Sequence, residues 1–216
     1  MKNKQYLLFD LDGTVTDSQS GITRSAAYAL ERFGIRIEDP SSLTFFVGPP
    51  LHDTFMQKYG FSGEDASRAV EVYREYYRDR GIFENEVYPG IPELLGDLKA
   101  AGRTVILATS KPAVFARRIL DHFSLSQYFD YLSGCELDGT RSNKDEVIEY
   151  ALELAGITDR SQCVMIGDRK HDIIGAAKTS LASLGVLYGY GDRAELEAAG
   201  ADVIAADVDE LRRILL

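Results

Sequence analysis

The chain has 216 residues, 45% of them hydrophobic and 27% charged, with a formal net charge of −10. This composition excludes intrinsic disorder, and the length suits one large domain or a domain carrying a sizeable insertion. The acidic balance argues against a nucleic-acid polymer as partner, because phosphate backbones demand a basic face. No apolar run approaches the roughly 18 residues needed to span a bilayer, and the apolar stretch after Met1-Lys2-Asn3-Lys4 is too short for a signal peptide. No membrane partner and a cytoplasmic location are therefore expected. Cys135 and Cys163 fit no zinc spacing and read as reduced, half-buried thiols.

In chain order, Tyr6–Phe9 is a short apolar run, predicted as the first strand, that breaks off into Asp10-Leu11-Asp12-Gly13-Thr14. Residues 21–80 read as helical. Ala26, Ala27, Leu30 and Phe33 recur at three and four residues, with Gly34 as a stop. Gly48-Pro49-Pro50 breaks the chain before a short helix over 51–59. Ser62 and Asp65 approximate a capping pair for a longer helix, whose stripe of Ala66, Ala69, Val70, Tyr73, Tyr76 and Tyr77 reads as core packing rather than a base-stacking platform.

From Pro89 onward strands alternate with helices. Helices are predicted over 91–101, 112–123, 143–155, 172–179, 193–199 and 208–215, and strands over 105–108, 131–133, 163–166, 183–188 and 203–205. Such alternation predicts an α/β fold, a Rossmann-like doubly wound parallel sheet covered by helices on both faces. The helical block becomes a smaller, all-helical insertion. The expected division is a core of residues 1–15 and 84–216 with an inserted domain of residues 16–83. In such a sheet ligands bind beyond the carboxyl ends of the strands, so reactive residues belong just after strands.

Four groups fall there. Asp10 and Asp12 follow the first strand, and two carboxylates so close will not both stay ionised without a cation or proton between them; alone, the pair is equally consistent with a surface turn. Asp168 and Asp172 follow the strand over 163–166. Oxygen-only ligands suit a hard cation such as Mg²⁺, although Asp168 could instead cap the next helix, and His171 beside it reads as a surface residue. Thr109 and Ser110 lie at a predicted strand-to-helix junction, a natural phosphate cradle or an ordinary N-cap. Lys111 reads equally as solvated or functional. Lys144 opens a helix against the macrodipole, which an acidic partner or bound phosphate would explain.

Taken in order, the Asp pair in Asp10-Leu11-Asp12-Gly13-Thr14, the hydroxyls at Thr109-Ser110, the isolated Lys144 and the Gly167-Asp168-Arg169-Lys170-His171-Asp172 group form a joint pattern. The chain resembles the haloacid dehalogenase superfamily over essentially its whole length, and within it the phosphoglycolate phosphatase-like branch with a helical cap. Phe46-Val47-Gly48-Pro49-Pro50-Leu51, Gly139-Thr140-Arg141-Ser142-Asn143-Lys144 and Gly189-Tyr190-Gly191 are similar to bacterial members described as 5′-nucleotidases or tyrosine phosphatases. The resemblance implies a Mg²⁺-dependent phosphatase acting on a small phosphorylated substrate, a 5′-nucleotide or a phosphoglycolate-like metabolite, through an aspartyl phosphate on Asp10.

By the same resemblance Asp12 is the general acid and base, and Thr109, Ser110 and Lys144 bind the transferring phosphoryl group. Mg²⁺ is held by Asp10, Asp168 and the backbone carbonyl of Asp12, with Asp172 orienting the ligands or Lys144. Arg24, His52 and the turn at Gly48-Pro49-Pro50 are candidate cap contacts. Asp12 speaks against a dehalogenase, whose halide leaves without a proton. Two alternatives stand beside the phosphatase: a sugar-phosphate phosphomutase using the same chemistry, and a non-catalytic phospholigand-binding or signalling module.

Overall fold

The computed structural model describes residues 1–216. Its strands are β1 (Tyr6–Phe9), β2 (Thr16–Asp17), β3 (Glu86–Val87), β4 (Thr104–Pro112), β5 (Tyr131–Cys135), β6 (Cys163–Gly167), β7 (Ala182–Val186) and β8 (Val203–Ala205). Its helices are α1 (Gln19–Arg32), α2 (Leu51–Tyr59), α3 (Gly63–Asp79), α4 (Ile91–Ala100), α5 (Ala113–His122), α6 (Lys144–Leu154), α7 (Lys170–Lys178), α8 (Arg193–Ala198) and α9 (Val208–Leu215). No helix is long and apolar enough to cross a membrane. The chain divides into two compact units, Met1–Thr16 with Val87–Leu216, and Asp17–Glu86.

The first unit is built on six strands in the order β5-β4-β1-β6-β7-β8, every neighbouring pair parallel. This is the doubly wound sheet the alternation predicts. A parallel strand covered on both faces needs an unbroken apolar run, and Leu7–Phe9, Val105–Ala108 and Val164–Ile166 supply three such runs, all buried. Leu8, Ile106, Ala108 and Met165 share one face with Val147, Ile148 and Ala151 of α6 and Ala176 of α7. Their neighbours alternate to the other face, as the pleat requires. The chain leaves β1 for β4 and β5 on one side and returns to β6, β7 and β8 on the other. The strand order therefore reverses at β1, and in open parallel sheets it is beyond the carboxyl ends of the strands at such a reversal that ligands bind.

The second unit is mainly helical, with short 3₁₀ turns at Pro40–Phe46 and Gly81–Phe83 beside α1, α2 and α3. Ser62 caps α3 by accepting the Asp65 N–H at 3.1 Å. The predicted stripe on α3 is largely core: Ala66, Ala69, Tyr73 and Tyr77 are buried, and the last two stack with ring centroids 5.4 Å apart. Phe46, Phe55 and Phe61 form a second aromatic cluster. The candidate cap contacts Arg24 and His52 are engaged inside this unit, Arg24 with Glu84 at 3.2 Å and His52 with the Gly63 carbonyl at 3.2 Å. The crossings β2 and β3, absent from the sequence reading, pair as a two-stranded sheet.

One sequence expectation fails locally. Thr109 and Ser110 do not lie at a helix N-terminus, because β4 runs on to Pro112 and α5 starts only at Ala113. Pairing with β5 carries the extended backbone onward, Thr109 opposite Gly134 and Pro112 opposite Cys135, across a register shift. The Thr109 hydroxyl consequently caps no helix and accepts the Lys111 N–H two residues on, at 3.2 Å.

Candidate active site

Each candidate site residue is delivered by the end of a strand or by the helix that follows it. Asp10 and Asp12 leave β1, Thr109 to Lys111 end β4, Lys144 opens α6, Asp168 follows β6, and Asp172 sits in the first turn of α7. The β1 registers with β4 and β6 bring three of these strand ends side by side. Carboxylate oxygens of Asp10, Asp168 and Asp172 lie within 4.8 Å of one another. Lys144 Nζ sits between two of these acids, 2.8 Å from Asp10 Oδ1 and 2.8 Å from Asp172 Oδ1, and donates to the Ala108 carbonyl at 3.2 Å. This acidic pair explains a lysine at a helix N-terminus. The α6 start is completed by Glu146, whose carboxylate takes the Asn143 N–H at 3.1 Å.

Asp168 caps no helix; α7 is preceded by Arg169, whose N–H goes to Asp172 Oδ2 at 3.1 Å. Asp168 is fully buried and held from two sides, by the Thr14 hydroxyl on Oδ1 at 3.4 Å and the Tyr190 N–H on Oδ2 at 2.8 Å. Close packing here leaves no room for a Cβ. One placed on Gly13, whose φ is +84°, would meet Asp168 Oδ2 at 2.2 Å, and one on Gly189 would meet the Gly13 carbonyl at 2.2 Å. On α7, a Cβ at Gly175 would lie 2.7 Å from Lys144 Cγ, so this glycine makes room for the lysine stem. His171 is exposed, as its sequence context predicts.

The electrostatics follow from burial. Burial pushes the Asp10 carboxyl up to about 6, with Lys144 pulling it down and the Asp172 and Asp12 carboxylates adding repulsion. Burial, then Asp172 and Asp10, hold Asp168 well above the usual carboxylate range. Burial works against the Lys144 ammonium, but Asp10 and Asp172 outweigh it and hold its pKa above the ordinary lysine value. Three clustered acids against one lysine leave a formal charge of −2. A divalent cation would neutralise that excess, and a donor set made only of carboxylate oxygens suits a hard cation such as Mg²⁺.

The sequence reading left Lys111 open. The structure buries it, with 9% of its surface exposed, and sets its Nζ 2.6 Å from Asp12 Oδ2. Extended geometry places Lys111 on the same side as Thr109, two residues back, and that was the available signal. The backbone of Tyr190 was also missed, and a main-chain donor leaves no mark in the sequence beyond the glycines around it. Ser110 is half-buried next to Thr109, which is itself buried.

With this arrangement in hand, comparison with known proteins is decisive. The haloacid dehalogenase-like hydrolase pattern matches residues 7–186. The chain belongs to that family. This phosphatase-type hydrolase is 48% identical to a protein named 5′-nucleotidase from Pseudomonas aeruginosa, over 97% of its own length and 94% of the other. It is 40% identical to the tyrosine-protein kinase PtkA of Mycobacterium tuberculosis, covering 99% of this chain and 73% of that one. Among solved structures, a predicted phosphatase from Clostridium acetobutylicum superposes with a TM-score of 0.95 at 51% identity, covering 98% and 97% of the two chains.

Proposed function

We propose that this hydrolase cleaves small phosphomonoesters with Mg²⁺, through an aspartyl phosphate formed on Asp10. The observation that carries this reading is the buried cluster of Asp10, Asp168 and Asp172 around Lys144 at the strand-order reversal. Asp10, Asp168 and the Asp12 carbonyl would hold the cation. When bound, it offsets the repulsion between a carboxylate and a phosphate dianion.

In this reading an Asp10 oxygen attacks phosphorus as the ester P–O bond breaks, and Asp12 gives its proton to the departing oxygen. Asp12 then takes a proton from the water that attacks the aspartyl phosphate, which frees inorganic phosphate and restores both carboxyls. Lys144, Thr109 and Ser110 hold the transferring oxygens and offset charge as it spreads over them. Asp172 keeps Lys144 aimed at Asp10. The relative named 5′-nucleotidase favours a nucleoside monophosphate as the substrate.

The test is a panel of nucleoside monophosphates, phosphoglycolate, sugar phosphates and tyrosine phosphate assayed with Mg²⁺, using Asp10→Asn as the blank. A release rate no greater than the blank on every member would sink the reading. Asp12→Ala should slow turnover by about 10²- to 10⁴-fold on substrates with an alkoxide leaving group, the range for loss of a general acid and base; an unchanged kcat would remove Asp12 from that role.

Metal binding has its own readout, independent of turnover. Mg²⁺ at about 100 times its Kd should stabilise the protein by about 2.7 kcal/mol, because it binds only the folded chain, and Asp168→Asn should abolish the shift. Equal melting temperatures with and without Mg²⁺ would show that the cluster holds no cation.

A further inference from the structure

Lys111 is the second buried cation at this end of the sheet, and the chemistry described so far gives it no task. A buried ammonium loses several kcal/mol of hydration unless a partner compensates, so a lysine persists at such a position only with a committed partner. That partner is Asp12, at 2.6 Å through Oδ2. The other oxygen, Asp12 Oδ1, is buried and accepts no hydrogen bond. One carboxylate oxygen is tethered, and the other is enclosed with its acceptor capacity unused. An Asp without such a tether turns in a broad χ2 well, and proton transfer needs the carboxyl within hydrogen-bond reach of the reacting oxygen.

We propose that Lys111 is a positioning residue that holds Asp12 by Oδ2 and so presents Oδ1 first to the leaving oxygen and then to the attacking water. The proposal rests on the reading of Asp12 as proton donor. The proton on Oδ1 passes to the leaving oxygen as the ester P–O bond breaks and the Asp10–phosphorus bond forms, and the same Oδ1 later recovers a proton from water. Lys111 neither gives nor takes a proton. A direct contact of Lys111 with the phosphoryl group is the competing role, and it would require the ammonium to leave Asp12.

The experiment compares single-turnover phosphorylation of Asp10 by a nucleoside monophosphate, whose alkoxide must be protonated, and by 2,4-dinitrophenyl phosphate, whose phenolate leaves unprotonated. Lys111→Met should slow the first by about 10- to 100-fold, a part of the full general-acid effect, and the second by less than about threefold. Lys111→Arg should recover part of the first rate. In an Asp12→Ala background Lys111→Met should cause no additional loss, since a residue acting through Asp12 has nothing left to act on.

Equal losses on the two substrates, a loss confined to KM, no loss at all, or a loss that adds to that of Asp12→Ala each overturns the proposal. If Lys111→Met does not fold, Lys111→Arg carries the same comparison, and an equal effect on both substrates overturns it there too. Wild-type protein inactive on both substrates would instead overturn the phosphatase reading itself.

Discussion

Asp10→Asn should lower phosphate release by on the order of 10⁴- to 10⁶-fold, the scale seen when an enzyme loses its nucleophile, while the protein stays folded. The amide keeps the shape of the side chain but offers no anionic oxygen to phosphorus. Folding should not suffer, because the replaced charge is already disfavoured: burial pushes the Asp10 carboxyl up to about 6 from an ordinary 3.8, against the pull of Lys144. Removing it reduces the excess of acids over bases in the cluster. Steady-state phosphate release together with thermal unfolding in the absence of Mg²⁺ checks both halves. A variant with wild-type turnover would remove Asp10 as nucleophile, and one that melts far below the parent would mean that its charge organises the fold.

Lys144→Met should damage both turnover and stability. The methionine keeps most of the apolar stem beside Gly175, so the loss reports the ammonium. Without it, Asp10 and Asp172 face each other uncompensated, and breaking a buried ion pair by removing one partner costs about 3 to 5 kcal/mol. The fall in kcat should be about 10²- to 10³-fold, as for removal of one donor to a transition-state oxyanion.

The pH dependence has a definite sign. Asp10 has a folded-state pKa raised above its unfolded value, so its ionisation disfavours the folded state. That penalty is absent below about 3.8, grows as the pH rises towards 6 and is complete above it. Removing Lys144, which pulls the Asp10 pKa down, extends the penalty to higher pH. The stability deficit of Lys144→Met should therefore be greatest at neutral to mildly alkaline pH, where the acids are ionised and the lysine is still charged, and shrink on acidification. Denaturant unfolding at several pH values measures it, and a deficit that grows on acidification would show that Lys144 is not the counter-charge for these acids.

How much of this could be read in advance depends on where the physical constraint is local. The strand Tyr6–Phe9 was legible because four consecutive apolar residues end abruptly in acids, and burial on both sheet faces demands such a run. Asp168 and Lys144 were legible for the same kind of reason, each placed just beyond a strand or opening a helix. Lys111 was not, because a lysine near a strand end is ordinarily solvated and its partner lies 99 residues earlier in the chain. The extent of β4 was also hidden, since what prolongs it past Thr109 is pairing with β5, a tertiary event that overrides the local Lys-Pro signal for a turn. The hold on Asp168 by the Tyr190 N–H was out of reach because every residue type but proline carries that donor.

Gly175 has an implication for any attempt to harden this protein. Inside a helix, alanine is ordinarily better than glycine by about 1 kcal/mol, so a search for thermostable variants would naturally try that exchange. The methyl group would press on Lys144 Cγ and tilt the ammonium away from the carboxylates that it serves. At this one position on α7, rigidity of the scaffold and aim of the buried ammonium are opposed, and glycine marks the side that won.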